Sequence, residues 1–566
     1  MSFRTRRIAA PVPSILVALL LSLTSSLSPT QRADAAETFD VVIRNGRIVD
    51  GTGSPWYRGD VGIRGGKIVR IGRIPADAGK TTIDAKGLVV APGFIDMMGQ
   101  TATPFLKDPA AAFNLLSQGI TTINAGEGVS AAPLGDADAK TAGWKSMSWY
   151  FSLLEKRGLP MNVVQTVGHT QVRRIVIGEV DRRPTPVELE RMQVLVREAM
   201  QAGAIGVSTA LIYPPAVYAT TDEIAALAKV AGQSGGRYFT HMRNEGDKLL
   251  EAIDEALEIG RKAGTPVHIF HLKAAGRQNW GKMEQALAKI KAARRKGQQV
   301  TSDIYPYINN GLGIDALIHP RHFTQGRAAL RRRLDDAKLR QTIRREMETG
   351  AGWENWFRHT GFNWDKVVVG SMKAHPFSQY NGRTIAEIAA KTKRDEWATF
   401  FELVKAGAFA MPETMSEANK IRAMKEPFIS FCTDVGPAAG ATSFIASHPR
   451  AWGAFPRVLA LYVRKLGVIS LEDAVRKMSA VAANEIMAYD RGRISVGLAA
   501  DIVVFDPDTI QDRATLSQPT RPSVGMKYVL INGHVVLADG KYTGAKPGKV
   551  LRGPGYHRRA ADKSAR

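Results

Sequence analysis

Between residues 38 and 90 the chain alternates apolar and polar positions in short runs, broken at Asn45-Gly46, Gly65-Gly66 and Lys86-Gly87. A period of two with turn residues at the breaks predicts strands and hairpins. The pattern returns at 501–505 and at 528–537 around Asn532-Gly533. Both chain ends, residues 36–92 and 490–552, are therefore expected to join in one small flanking β-sandwich. In between, short apolar runs alternate with helical stretches, the pattern of a parallel sheet wound by crossover helices. Runs at 94–98, 120–124, 161–166, 205–208, 237–241, 267–271, 299–303 and 428–434 supply eight strands. Eight predict an α/β fold of the closed TIM type, a (β/α)8 barrel over residues 93–489.

Residues 308–427 are too long for one crossover and are expected to form a largely helical insertion, a lid or a packing subdomain. Residues 1–35 read as a secretory signal peptide: Arg4, Arg6 and Arg7 precede the apolar run 15–23, and Ala33-Asp34-Ala35 offers small residues for cleavage. A membrane anchor is the alternative for that run, but nine residues fall short of the ~20 that span a bilayer. Export to the periplasm or the exterior is expected, by the general or the twin-arginine route, with no stable membrane insertion after cleavage. The tail, residues 553–566, is basic and reads as disordered.

Charge and cysteine usage narrow the function. The chain carries +24, and loss of the leader, with four Arg and one Asp, leaves about +21. The basic residues are dispersed, apart from Arg331-Arg332-Arg333 and the tail, and no nucleic-acid module is recognisable, so nucleic acid is an unsuitable partner. Attraction of a small anionic substrate, or solubility alone, accounts for the charge. Cys432 is the only cysteine, so no intramolecular disulfide is available and the fold rests on its core.

In a TIM barrel, chemistry gathers at the carboxyl ends of the strands. His241 ends the fifth run, His271 the sixth and Asp434 the eighth. Two imidazoles bind a divalent metal, and a nearby carboxylate takes a proton from water, so the trio points to a metal-dependent hydrolase. His268, three residues before His271, falls on the opposite side of its strand and is expected outside the barrel, against a helix. Cys432 is expected to pack in the core.

The segments Ala91-Pro92-Gly93-Phe94-Ile95-Asp96, Ser117-Gln118-Gly119-Ile120-Thr121-Thr122, His241-Met242-Arg243-Asn244-Glu245-Gly246, His271-Leu272-Lys273, Asp303-Ile304-Tyr305-Pro306-Tyr307 and His448-Pro449-Arg450 occur in this order. Together with Ala499-Ala500-Asp501-Ile502-Val503 they resemble the N-acyl-D-amino-acid deacylases, or D-aminoacylases, of the amidohydrolase superfamily. The resemblance implies a barrel with a flanking β-sandwich, a bound zinc, and hydrolysis of the amide of an acylated D-amino acid. It assigns His241 and His271 to the metal, Asp434 to catalysis, and Lys273, Tyr213, Tyr305 and Arg450 to the substrate's surroundings. An Arg grips a carboxylate with two bonds and a Lys adds a point charge, though the tyrosines could cap the barrel and Arg450 could fix a loop.

Two departures concern the metal. Where the superfamily carries His-x-His, this chain has Met98-Gly99-Gln100, neither end a good ligand for such an ion. Where the deacylases place a metal-binding cysteine, it has Gly126-Glu127-Gly128. Glu127 is expected to replace that thiolate, giving one divalent ion on His241, His271 and Glu127; its alternatives are a substrate ammonium or a helix cap. The same ligands suit iron or manganese. Alternative substrates are a D-residue dipeptide or a cyclic amide, and a rival reading is a non-catalytic barrel that binds an anion. The number of chains in the assembly stays open.

Overall fold

The opening alternation becomes five strands: β1 (Phe39–Ile48), β2 (Tyr57–Arg64), β3 (Lys67–Gly72), β4 (Gly79–Asp84) and β5 (Val89–Pro92). The computed structural model describes residues 38–372, 375–438 and 447–557; the expected leader lies outside the described residues. Asn45-Gly46 corrects the sequence reading, since it is a bulge inside β1 and not a hairpin turn: the β1–β2 register shifts there while pairing continues to Ile48. Asn45, at φ +60°, donates its N–H to Asp60 Oδ1 and its side-chain amide to Asp84 Oδ1. Partners distant in sequence thus satisfy groups that a turn would have satisfied locally.

The barrel strands follow: β6 (Phe94–Asp96), β7 (Ile120–Ala125), β8 (Asn162–Gln165) with its continuation β9 (Val167–Gly168), β10 (Gly206–Ala210), β11 (Arg237–His241), β12 (Val267–Ile269) and β13 (Val300–Ile304). The insertion contributes β14 (Leu312–Gly313), β15 (Val367–Val369) and β16 (Phe409–Pro412), and β17 (Ile429–Phe431) completes the barrel. All barrel pairs are parallel, from β6 through β8 and from β9 through β13 to β17. The seam between β17 and β6 is drawn together by Met97 N–H on Phe431 O at 3.3 Å. The Asp96 carboxylate reinforces it, accepting from Thr433 N at 2.9 Å and Thr433 Oγ1 at 2.5 Å. Among the described residues no helix is long and apolar enough to cross a membrane.

The chain then returns through β18 (Ile502–Phe505), β19 (Met526–Ile531), β20 (His534–Ala538) and β21 (Lys541–Tyr542). β18 lies antiparallel to β5, which joins the two ends in one nine-stranded sheet, ordered β21-β20-β19-β18-β5-β1-β2-β3 with β4 beside β1. Gly65-Gly66 and Asn532-Gly533 are two-residue hairpin turns with positive φ at both positions. The tips meet: a Cβ on Gly533 would lie 2.7 Å from Gly66 Cα. The sheet thereby folds over itself into a sandwich around Ile43, Val61, Ile63, Ile68, Ile502 and Leu530.

Residues 308–427 are less purely helical than expected. Helices such as Ala337–Thr349 and Glu396–Ala406 surround the antiparallel sheet β14-β16-β15, whose strands are too short to register as alternation. This part has its own core of Trp356, Phe357, Trp364, Trp397 and Phe400, which reaches the barrel mouth at Ile212 and Tyr213. The start of the tail is also corrected. Residues 553–557 are held to the barrel by Gly553 N–H on Gly203 O and His557 N–H on Gln201 O, and Arg552 pairs with Glu155 at 2.9 Å. Residues 558–566 lie outside the described residues.

Candidate metal centre and active site

The strand ends meet as the barrel requires. His241, the last residue of β11, and His271, two residues beyond β12, bring their rings to 4.5 Å at 86°. Glu127 reaches them from the loop after β7. That loop is pressed flat, because a Cβ on Gly126 would lie 2.4 Å from Thr166 Oγ1 and one on Gly128 2.6 Å from Ala210 N, both at positive φ. Glu127 Oε1 stands 2.7 Å from His241 Nδ1 and 3.1 Å from His271 Nε2. One donor atom from each residue lies within 4.8 Å of the others. Two imidazoles and one carboxylate oxygen, mutually within a coordination sphere, fit a three-ligand divalent ion with an open position. Burial works against charge on Glu127, yet the hydrogen bonds from both histidines hold its carboxyl well below the ordinary range.

Behind the imidazoles sits Glu245, buried and unflagged by sequence. Its Oε1 lies 3.0 Å from His271 Nδ1 and 2.5 Å from Lys273 Nζ, and its Oε2 lies 3.4 Å from His241 Nε2. A carboxylate on the far nitrogen fixes the tautomer and ring orientation of a ligating histidine. The only sequence signal was its place four residues after His241, in a motif quoted for resemblance.

Asp434, in the turn after β17, has a left-handed backbone at φ +52°, as do His271 at +35° and Gln100 at +55°. Each such non-glycine residue costs about 1–2 kcal/mol, and such strain collects where a fold must aim a side chain. Asp434 Oδ2 pairs with Arg450 Nη1 at 2.5 Å, and its Oδ1 accepts from Gln100 Nε2 at 2.8 Å. Burial raises the Asp434 pKa, against the pull of Arg450 and His271. Gln100, which sequence reasoning treated only as a lost ligand, also donates to Glu127 Oε2 at 2.7 Å.

A cavity of about 360 Å³ opens over this cluster, lined by Gln100, Glu127, His241, His271, Asp434 and Arg450. Tyr213, Arg174 and Arg327 also line it, Arg174 paired with Glu179 and Arg327 with Asp315. A second cavity of about 420 Å³ adjoins it across Tyr213, Pro214 and Arg327 but includes none of the cluster. Of the residues expected around a substrate, Tyr213 and Arg450 line the cavity. Lys273 and Tyr305 do not: Lys273 Nζ is turned back onto Glu245 and His271, and Tyr305 is buried beneath the Arg450 guanidinium at 4.6 Å. His448 sets the helix carrying Arg450, accepting Arg450 N–H on Nδ1 while Nε2 meets Asn309 O. His268 stays out of the cluster, bonded to Asp303 and to Thr301, which donates to Glu485 of the helix Ala482–Glu485. Cys432 is a buried free thiol.

The amidohydrolase family model matches residues 81–537. An N-acyl-D-glutamate deacylase of Alcaligenes xylosoxydans xylosoxydans is 35% identical over 532 residues, spanning 91% of this chain and 97% of that protein. The solved N-acyl-D-glutamate deacylase of Bordetella bronchiseptica holds zinc and a phosphonate inhibitor that mimics the tetrahedral intermediate. It matches at 34% identity with a TM-score of 0.76, over 91% of this chain and 100% of that one. A D-aminoacylase whose binuclear metal center is described by one-metal activation and second-metal attenuation matches at 32% identity and a TM-score of 0.76, with the same coverage. This chain thus belongs to the amidohydrolase family, as a hydrolase of carbon–nitrogen bonds other than peptide bonds.

Proposed function

We propose that the protein hydrolyses the amide bond of N-acyl-D-amino acids with one divalent ion, zinc, held by His241 Nδ1, His271 Nε2 and Glu127 Oε1. The observation that carries this reading is the convergence of those three donors with Asp434 on one cavity. The zinc in the Bordetella bronchiseptica relative supports the choice of ion. Bound there, a divalent ion supplies a Lewis acid that polarises a carbonyl and acidifies water.

The residues of the chain do the rest. Arg450 binds the substrate carboxylate on one side of the cavity. Tyr213, whose hydroxyl stays protonated because burial raises its pKa, donates toward the acyl oxygen as that oxygen gains negative charge. Water adds to the acyl carbon while Asp434 takes its proton. Asp434 then hands that proton to the amide nitrogen, the C–N bond breaks, and a carboxylic acid and a free amino acid leave. The raised Asp434 pKa suits a group that must hold the proton between the two steps.

Arg327 and Arg331 share the single carboxylate of Asp315, so positive charge is left in excess beside the cavity and favours substrates with a second carboxylate, N-acyl-D-glutamate or N-acyl-D-aspartate, over neutral ones. Hydrolysis of N-acetyl derivatives of D- and L-Glu, Asp and Met by zinc-loaded protein tests both points. Cleavage of L-forms alone would sink the assignment, and preference for D-Met would sink the acidic one. The basic leader and its apolar run further support export to the periplasm or the exterior, tested by sequencing the N-terminus of the mature protein.

A further inference from the structure

Gln100 stands between two carboxylates of the centre, and no step of the proposed reaction uses it. Its Nε2 donates one hydrogen to Glu127 Oε2 and the other to Asp434 Oδ1. Reversed, the carboxamide would set its oxygen against two carboxylates, so the partners themselves fix which end is nitrogen. The two oxygens of Glu127 are thereby divided: Oε1 faces the imidazoles, and Oε2 faces Gln100.

The backbone is built to keep the amide there. Gln100 adopts φ +55°, its carbonyl accepts Gly126 N–H at 2.8 Å, and Gly99 N–H donates to Asn124 O at 2.7 Å. A Cβ on Gly99 would lie 2.8 Å from Ile123 Cβ, so the segment lies flush on β7. The loops after β6 and β7, which carry Gln100 and Glu127, are thus stitched together.

A second cation between Glu127 and Asp434 would cover one oxygen of each, and that is what the carboxamide does without charge. We infer that Gln100 is a positioning residue that takes the place of a second cation, restricting the centre to one ion and holding Asp434 toward the cavity. This rests on the one-ion reading of the proposed function, which its test addresses separately.

Full-length wild type, Gln100→His and Gln100→Leu are saturated with zinc, desalted, and analysed for metal by elemental mass spectrometry, with circular dichroism to verify folding. One ion per chain is expected in wild type and in Gln100→Leu, and two in Gln100→His, whose imidazole would stand beside Glu127 Oε2 and Asp434. In Gln100→Leu, kcat is expected to fall about tenfold or more with KM little changed, since two hydrogen bonds to charged groups are lost and no substrate contact is. Two ions in wild type would overturn the inference while leaving the three-donor centre intact. A folded Gln100→His with one ion, or a Gln100→Leu with unchanged kcat, would overturn it as well. No zinc in wild type would instead sink the centre, and this inference with it.

Discussion

Replacing Glu245 with Gln separates what supports the imidazoles from what supports the fold. Glu245 Oε1 serves both His271 Nδ1 and Lys273 Nζ, while Oε2 approaches His241 Nε2. Removing its charge leaves the Lys273 ammonium, 2% exposed, without a counter-ion. Breaking a buried pair from one side costs about 3–5 kcal/mol of stability. Loss of the carboxylate behind the imidazoles separately costs about 10–100-fold in zinc affinity, or about 1.4–2.8 kcal/mol. Adding Lys273→Met removes the stranded charge with a side chain of similar length, so the double variant is expected to regain most of the stability but not the affinity. Urea unfolding of EDTA-treated protein reads the first quantity, and competition with a chelating dye reads the second. A double variant that binds zinc as tightly as wild type would refute the role of Glu245 as the support of the two histidines.

Asp434→Asn keeps the shape and an acceptor for Gln100 but cannot carry a proton between water and amine; kcat is expected to fall about 10²–10⁴-fold with zinc content unchanged, and an unaltered kcat would exclude Asp434 as the shuttle. Gly533→Ala puts a Cβ at φ +81° and 2.7 Å from Gly66 Cα, where two turns touch; urea unfolding should register a loss of about 1–3 kcal/mol, with activity per folded molecule retained. Burial, opposed by hydrogen bonds from Thr433 and Met98, pushes the Asp96 pKa up to about 7 from 3.8. The folded state therefore holds this proton more tightly than the unfolded one. The stability it adds is full below the unfolded pKa, declines from about pH 4 and is lost as pH passes 7. The stability difference between wild type and Asp96→Asn should then shift by on the order of 2–4 kcal/mol between pH 4 and 8, and a pH-independent difference would refute the assignment.

Strand ends were legible because the barrel rule turns a chain position into a spatial one. His241, His271 and Asp434 end runs of the right period, and eight such runs leave little choice of where they point. Glu127 was legible for a different reason, as a carboxylate in a glycine-flanked loop where a thiolate was due. Glu245 and Gln100 were not, because each acts through a partner that only folding supplies: Lys273 beneath the second histidine, and Asp434 at 334 residues' separation. The pairing of Lys273 with Glu245 was not legible for the same reason. Asn45-Gly46 shows the limit from the other side. The dipeptide favours positive φ in a turn and in a bulge alike, and Asp60 and Asp84 decide between them. Residues 553–557 look disordered by composition, yet the backbone of Gly203 and Gln201 holds them in place.

On the proposed reading, charge makes one ion and a neutral amide compatible. Glu127, Glu245 and Asp434 bring three negative charges to the centre, and Lys273 and Arg450 bring two positive ones. Lys420, near Tyr305, carries only part of a charge at neutral pH, because burial and the Lys273 charge pull its pKa down to about 7. With neutral imidazoles, one divalent ion would leave the group near +1, before either carboxylate of an acidic substrate arrives. A second ion would leave about +3, and two like unit charges ~4 Å apart repel by about 4 kcal/mol even at an effective dielectric near 20. A histidine in place of Gln100 would invite that ion; a carboxamide satisfies the same oxygens and adds nothing to the sum. On the proposed one-ion reading, an anionic substrate and the single cation would complete each other, between arginines in the walls and carboxylates on the floor.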